Sequence, residues 1–424
     1  MAPQHRADTG FGYMKRTKFD SWLAGISASR VCTGLVFMTY AAVLPVLQQE
    51  WGMSAVQAGS IASGFQLGYA VSLVVLSSVA DRISARTVHL GSLFASGISS
   101  IAFALLARDF LSGLILYTLV GVSLGGTYTT GVMIIADQYA PTSRGMAVGF
   151  FIASSSCGYA LSLAMSGIAL SLGGYRLSFF LTCLGPMVGW LLAWITLRHT
   201  AVSVSERRAG QRFTREVLGN RTAMLLIWGY SFHTWEVIGM WSWTPAFMTA
   251  CMAAAGSSGV KAVGSGATIV ALFHVMGLMA SLSMGTLSDR FARGQVMLAL
   301  ATVGMICSFT FGWTLGLPLF VIVGVGAIYA FSSLGDSPAL SAALTEVMEP
   351  AYLGAALGLR SLLGFGAAAI GPIAFGAVLD WSNPMANGQR LYVTWGWAFS
   401  VLGLGGLGAV WAIHQYGKMW MARK

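Results

Sequence analysis

An Asp-Arg pair set between two long apolar stretches occurs twice in this chain. Val79-Ala80-Asp81-Arg82-Ile83-Ser84-Ala85-Arg86 returns half a chain later as Leu287-Ser288-Asp289-Arg290-Phe291-Ala292-Arg293. The apolar runs on either side are about 20 residues or longer, enough to cross roughly 30 Å of hydrocarbon as helices. A polar loop repeated at matching places between such runs implies two copies of one membrane bundle.

Composition agrees with that solvent. Hydrophobic residues make up 56% of the chain and charged residues 9%, against about 25% charged in a soluble domain. The alternation over segments of about 10 residues that marks a membrane barrel is absent. The expected fold is therefore an all-α membrane protein of about twelve transmembrane helices in two pseudo-symmetric six-helix bundles. The helices are placed near 22–47, 55–79, 88–107, 110–136, 146–171, 177–197, 222–249, 262–286, 296–315, 317–338, 352–379 and 391–414.

The net charge of +10 reports topology rather than nucleic-acid binding. With the N-terminus inside, 18 of the 24 basic residues fall in cytoplasmic segments and four, Arg108, Arg176, Lys261 and Arg390, fall outside. This asymmetry places both termini in the cytoplasm. The surrounding bilayer is a partner of the basic face, which suits anionic lipid. No secretory signal peptide is evident. Cys32, Cys157, Cys183, Cys251 and Cys307 show no paired spacing and read as small structural residues.

Polarity divides the chain into a cytoplasmic tail (1–21), a first bundle (22–197), a cytoplasmic linker (198–221), a second bundle (222–414) and a second tail (415–424). Glycines are spaced for close helix packing, as at Gly121, Gly125 and Gly126 and at Gly364, Gly366 and Gly371. Pro45 and Pro245, near the outer ends of the first helix of each half, are a further trace of duplication.

These residues together resemble the major facilitator superfamily of secondary transporters, over nearly the whole chain. The family's signature loop is roughly G-x-x-x-D-R-x-G-R-[RK]. Gly285 to Arg293 keeps its first glycine, the Asp-Arg and the later arginine, with Ala292 for the second glycine. Ser77 to Arg86 keeps Asp81, Arg82 and Arg86, with Ser77 and Ser84 for the glycines. Asp137, Arg144, Gly145 and Gly149 are echoed by Glu346, Leu353, Gly354 and Gly358 at constant spacing.

The resemblance implies that Asp81, Arg82, Asp289, Arg290 and Arg144 form an inner gate, held by carboxylate contacts to arginines and helix ends across the cytoplasmic face. The competing reading is that these loops fix topology only. Drug antiporters of the superfamily carry a Gly-Pro motif in the fifth helix and an arginine in the fourth. Here those places read Ser154-Ser155-Ser156-Cys157-Gly158-Tyr159 and Tyr117, so the chain resembles the anion carriers more.

Ionisable side chains inside a bilayer are costly, and each is a functional candidate. The interior set is Arg30, His233, Glu236, His274, Asp336 and Arg360. Arg30 lies on the order of 12 Å inside the first helix at 1.5 Å per residue. Its planar, permanently charged fork suits a carboxylate or another oxyanion. Arg360 is either a second anion-binding group or the partner of Asp336 or Glu346. Glu236 and His233, three apart on the seventh helix, are the expected proton-coupling pair. Asp336, near the end of the tenth helix, is expected at the gate. His274 alone reads as a satisfied helix–helix hydrogen bond. Tyr40, Tyr128, Tyr230 and Trp241 are expected to shape the substrate pocket.

No phosphate-cradling loop and no metal-ligand spacing is present in the sequence. No cofactor and no enzymatic activity are expected. The reading is a monomeric secondary carrier of the inner membrane, moving a small anionic solute by alternating access with protons as the second partner. The alternatives are a proton-driven exporter of cationic or amphipathic compounds, with Glu236 or Asp336 as the cation's partner, and a non-transporting sensor on the same scaffold.

Overall fold

The computed structural model describes residues 20–200, 214–385 and 390–421. The expected N-terminal tail and the greater part of the linker lie outside those residues, as do the last three residues of the chain. The first half runs through α1 (Ser21–Gly34), α2 (Thr39–Glu50), α3 (Ala55–Arg82), α4 (Ala85–Leu106), α5 (Phe110–Gln138) and α6 (Pro141–Leu197). The second half holds α7 (Arg221–Ala254), α8 (Gly259–Arg290), α9 (Arg293–Phe311), α10 (Leu319–Val347), α11 (Pro350–Ser382) and α12 (Gly396–Met421). Among the described residues there is no strand.

Twelve crossings result, because α1 and α2 share one and α6 supplies two. Helical geometry is lost inside α6 at Gly173 and Gly174, the latter at φ 72° and ψ −175°. Only glycine reaches that conformation without a steric penalty. Ser178 Oγ donates to the Ser166 carbonyl at 2.9 Å across the turn, so the two arms fold back on each other. The tight turn at Arg108-Asp109 is fixed by a capping box, in which Asp109 accepts from the Ser112 amide at 2.8 Å.

The first crossing departs from expectation. The apolar run 22–47 reads as one helix, yet α1 stops at Gly34 and α2 resumes at Thr39. The Leu35 carbonyl in the gap accepts from Thr39 Oγ1 at 3.0 Å and from Ser162 Oγ at 2.5 Å. Hydroxyls from the same crossing and from α6 thus satisfy backbone that lipid could not. Pro45 sits inside α2, away from the break.

Packing repeats between the halves. In the first, α6 packs on α1 and α4, and α5 packs on α3 and α4; in the second, α7 packs on α11 and α12, α8 on α10, and α9 on α10 and α12. The bundles meet along α3 with α11 and along α6 with α8. At the end away from Arg82, Arg144 and Arg198 this meeting is backbone-close. A Cβ at Gly59 would stand 2.3 Å from the Pro372 carbonyl oxygen, and one at Gly376 would stand 2.2 Å from that of Ala55. Gly167 approaches the Gly264 carbonyl in the same way.

A carboxylate latches that end. Asp380 on α11 accepts from the amides of Ala55 and Val56 at 3.1 and 2.9 Å, capping the N-terminus of α3 in the other bundle. Tyr392 donates to the same carboxylate at 2.9 Å, and Arg390 pairs with it. Toward the basic end the glycines of α6 and α11 are exposed. A Cβ at Gly145, Gly149, Gly354 or Gly358 would meet nothing within 4 Å. The two bundles are sealed against each other at one end, and no such backbone contact is made at these four glycines.

Replacing Gly376 by Val should force α3 and α11 apart at the sealed end, since there is no room for its Cβ. In a background freed of native cysteines, a cysteine placed at Ala62 should then react with a membrane-impermeant maleimide several-fold faster. An unchanged labelling rate would show that this contact does not hold the seal.

Candidate functional site

The two interior arginines approach the centre from opposite bundles. Arg30, one turn before the break in the first crossing, donates Nε to Ser155 Oγ at 2.7 Å and Nη1 to Thr127 Oγ1 at 3.2 Å. Its guanidinium lies 5.6 Å from the Tyr128 ring and 5.5 Å from the Phe151 ring. Arg360 on α11 donates Nη1 to Ser341 Oγ at 2.8 Å and stands 4.4 Å over the Tyr230 ring. Tyr128 and Tyr230 are within electrostatic range of each other, which brings both arginines onto one central region.

Among the described residues neither arginine has a carboxylate partner. Of the two partners open to Arg360, Glu346 pairs with Arg293 at 2.9 Å and Asp336 pairs with His233. Among the described residues both guanidiniums are held by hydroxyls and ring faces alone. Such contacts orient a cation without neutralising it.

The acidic groups gather around α7 near the same ring, since Tyr230 lies 6.2 Å from His233 by ring centroids. His233 Nδ1 lies 3.1 Å from Asp336 Oδ2, and its Nε2 lies 3.0 Å from Ser337 Oγ. Glu236 accepts from Ser308 Oγ at 2.6 Å, and that hydroxyl is bonded in turn to the Tyr329 hydroxyl. His233, Glu236 and Asp336 are 4%, 4% and 1% exposed, too little for water alone to solvate them.

His233 and Glu236 bond to different helices, His233 to α10 and Glu236 to α9, while staying within electrostatic range of each other. Asp336 stands deeper than expected because α10 continues to Val347 rather than ending near 338. Eleven further residues separate it from that helix end, roughly 16 Å at 1.5 Å per residue.

Other expected residues spread more widely. Tyr40 belongs to the sealed end, where its hydroxyl donates to the Ala58 carbonyl at 2.9 Å and its ring lies 5.1 Å from Tyr117. Trp241 stacks on His274 with ring centroids 3.7 Å apart and planes at 20°. Among the described residues neither ring nitrogen of His274 has a hydrogen-bond partner, against the expectation of a satisfied histidine. Of the residues expected at the gate, Asp81 and Arg82 end α3, Arg290 ends α8 and Arg144 begins α6, all at the basic end. The side chain of Asp289 lies outside the described residues. Arg293 of the second signature loop ties α9 to α10 through Glu346 and donates to Ser288 at 3.0 Å.

The sequence reading missed the hydroxyls that hold the arginines and Glu236, namely Thr127, Ser155, Ser341 and Ser308. It also missed the Asp380 latch. Serine and threonine in apolar helices are too common to single out by pattern. Asp380 reads as an ordinary helix-end aspartate until α3 is brought beside it.

Twelve crossings in two facing bundles, sealed at one end and lined within by ionisable side chains, define a secondary transporter. The chain belongs to the Major Facilitator Superfamily, whose model matches residues 26–336. It is 22% identical to the hexuronate transporter of Bacillus subtilis, over 79% of this chain and 82% of that protein. It is 24% identical to the gallate transporter of Pseudomonas putida, over 80% of each. In fold it is similar to a bacterial homolog of the human lysosomal transporter Spinster in an inward-facing conformation, with a TM-score of 0.71 at 18% identity over 93% of this chain and 95% of that one.

Breaking a buried charged pair by removing one partner costs about 3–5 kcal/mol. His233→Ala and Asp336→Ala should each lower the thermal unfolding midpoint of the purified protein, and the double variant should lose less than the two together. Fully additive losses would show that the two side chains act independently.

Proposed function

We propose that the protein carries a small carboxylate or oxyanion across the inner membrane by alternating access, driven by protons. One observation carries the reading: Arg30 and Arg360 point into the centre of the fold with hydroxyls and rings around them and no anion of the protein's own. A buried cation without a counter-ion is unfavourable, and an anionic solute supplies what the fold withholds. The two relatives support the sign of the charge, since a hexuronate and a gallate are both carboxylates.

The roles follow from position. Arg30 takes the carboxylate with its fork, and Arg360 balances the opposite side, with Tyr128 and Tyr230 as walls between them. Glu236 and the His233–Asp336 pair accept and release the proton. Each is held by hydroxyl or imidazole partners that tolerate either protonation state. A cationic solute would have to compete with His233 for Asp336 and with Ser308 for Glu236. The basic end is cytoplasmic by the positive-inside asymmetry, so this conformation opens inward. Asp81, Arg82, Asp289, Arg290 and Arg144 then stand where the inner gate must close, and the linker near 198–221 tethers two halves that rock against each other within a single chain.

Transport into proteoliposomes under an imposed proton gradient tests this, with radiolabelled glucuronate and gallate as solutes. Arg30→Lys keeps the charge but loses the fork, and a lost hydrogen bond to a charged group is worth about 1.5–3 kcal/mol. Uptake should fall by about tenfold or more at equal reconstitution. Glu236→Gln should abolish uphill uptake while leaving solute counterflow intact. Uptake by Arg30→Lys at the unsubstituted rate would remove the anion site. Loss of counterflow together with uptake in Glu236→Gln would remove the coupling role.

A further inference from the structure

Six rings form a continuous deck between the arginines and the sealed end. Phe37 lies 6.2 Å from Tyr69 and 4.8 Å from Tyr159 by ring centroids. Tyr69 meets Phe365 of the other bundle at 4.9 Å, and Tyr159 meets His274 of the other bundle at 5.9 Å. Trp241 closes the series on His274 at 3.7 Å. The deck adjoins Arg30 directly: the Tyr69 side chain interacts with the guanidinium, and Ser155 serves both Arg30 and Tyr159. A carboxylate held by Arg30 therefore brings the rest of its molecule against ring faces.

Within the deck a few polar atoms stand idle. Among the described residues His274 Nδ1 and Nε2, Trp241 Nε1 and Gln66 Oε1 are buried without a hydrogen-bond partner. His274 is 1% and Trp241 3% exposed. A small cavity of about 30 Å³ joins Gln66 and Trp241 among Phe37, Phe65 and Tyr117. It has room for one hydroxyl and none for a ring. Each buried donor or acceptor left unmatched costs about 1–3 kcal/mol, so four together are costly to keep unless a solute or water meets them.

Resting on the anion-carrier reading, we propose that this deck makes the carrier selective for hydroxylated aromatic carboxylates. Arg30 holds the carboxylate, the rings stack on the solute's ring, and His274, Trp241 and Gln66 pair with its hydroxyl. The proportions decide the class. A sugar acid presents hydroxyls on every side and needs a polar partner for each. Here the surface beside Arg30 is mostly ring, with a handful of unpaired polar atoms. That is the lining of a site for a flat, largely apolar solute with a polar tip.

The test is equilibrium binding to the purified full-length protein in lipid nanodiscs. The probes are 3- and 4-hydroxybenzoate, benzoate, cyclohexanecarboxylate and D-glucuronate, and the variants are Arg30→Gln, His274→Phe and Trp241→Phe. A hydroxybenzoate should bind about fivefold or more tightly than benzoate, the factor that pairing one buried unmatched group is worth at its lower bound. Benzoate should in turn bind more tightly than cyclohexanecarboxylate. His274→Phe keeps a ring in the deck and removes both nitrogens, so the hydroxybenzoate-to-benzoate ratio should fall below threefold. Trp241→Phe should lower the same ratio and gives an independent reading should the histidine variant fold poorly. Arg30→Gln should weaken every aromatic acid.

Glucuronate binding as tightly as the hydroxybenzoates, and depending on Arg30, would overturn the deck's role and leave the anion carrier standing. So would a hydroxyl preference that survives both ring substitutions, which would place the pairing groups elsewhere. Binding of no carboxylate, or binding indifferent to Arg30→Gln, would remove the underlying reading itself.

Discussion

A positive charge held inside the bundles, with no carboxylate beside it among the described residues, is the constraint on which this molecule depends. Placing an arginine at such depth is costly, and the usual remedy is an acidic partner. Here the acids are present but assigned elsewhere: Asp336 to His233, Glu346 to Arg293 and Glu236 to Ser308. Arg30 and Arg360 receive hydroxyls and ring faces instead. These neutral contacts fix the forks in place without neutralising their charge, which is what the proposed anion site requires.

The same scarcity of charge governs how the two bundles meet. Between α3 and α11 the contact is made by backbone on backbone, which only glycine permits at Gly59 and Gly376. Asp380 adds a single carboxylate at the N-terminus of α3, where the helix presents unpaired amides and a partial positive charge. Both kinds of contact break cleanly when the helices separate. The amides of Ala55 and Val56, at the mouth of α3, can then turn to water. A seal made this way suits a gate that must open repeatedly better than one made of interlocked side chains.

Much of the fold was legible in the order of residues. Membrane-length runs, the repeated Asp-Arg loop and the bias of arginine toward one set of loops led to twelve crossings in two facing bundles. Turn chemistry at Asp109 and the glycines at 173 and 174 fell where the runs were interrupted. The break between α1 and α2 was not legible, because the run across it is evenly apolar. It exists because Ser162, far along the chain, offers a hydroxyl to the Leu35 carbonyl. The length of α10 was misjudged for a related reason. Small residues after Asp336 read as loop, yet packed against neighbours they continue as helix to Val347.

The candidate site divides the same way. Sequence alone determined which side chains are costly in lipid, because that cost depends on residue type and depth, and both can be read from hydropathy. It thereby singled out Arg30, His233, Glu236, Asp336 and Arg360, along with His274. Only the tertiary structure decided who partners whom: that His233 takes Asp336 rather than Glu236, that His274 is stacked yet unbonded, and that both arginines lack an acid. Partner choice depends on angstrom-scale distances between helices far apart in the chain. A one-dimensional pattern carries the cost of each charge but no information on what will stand opposite it.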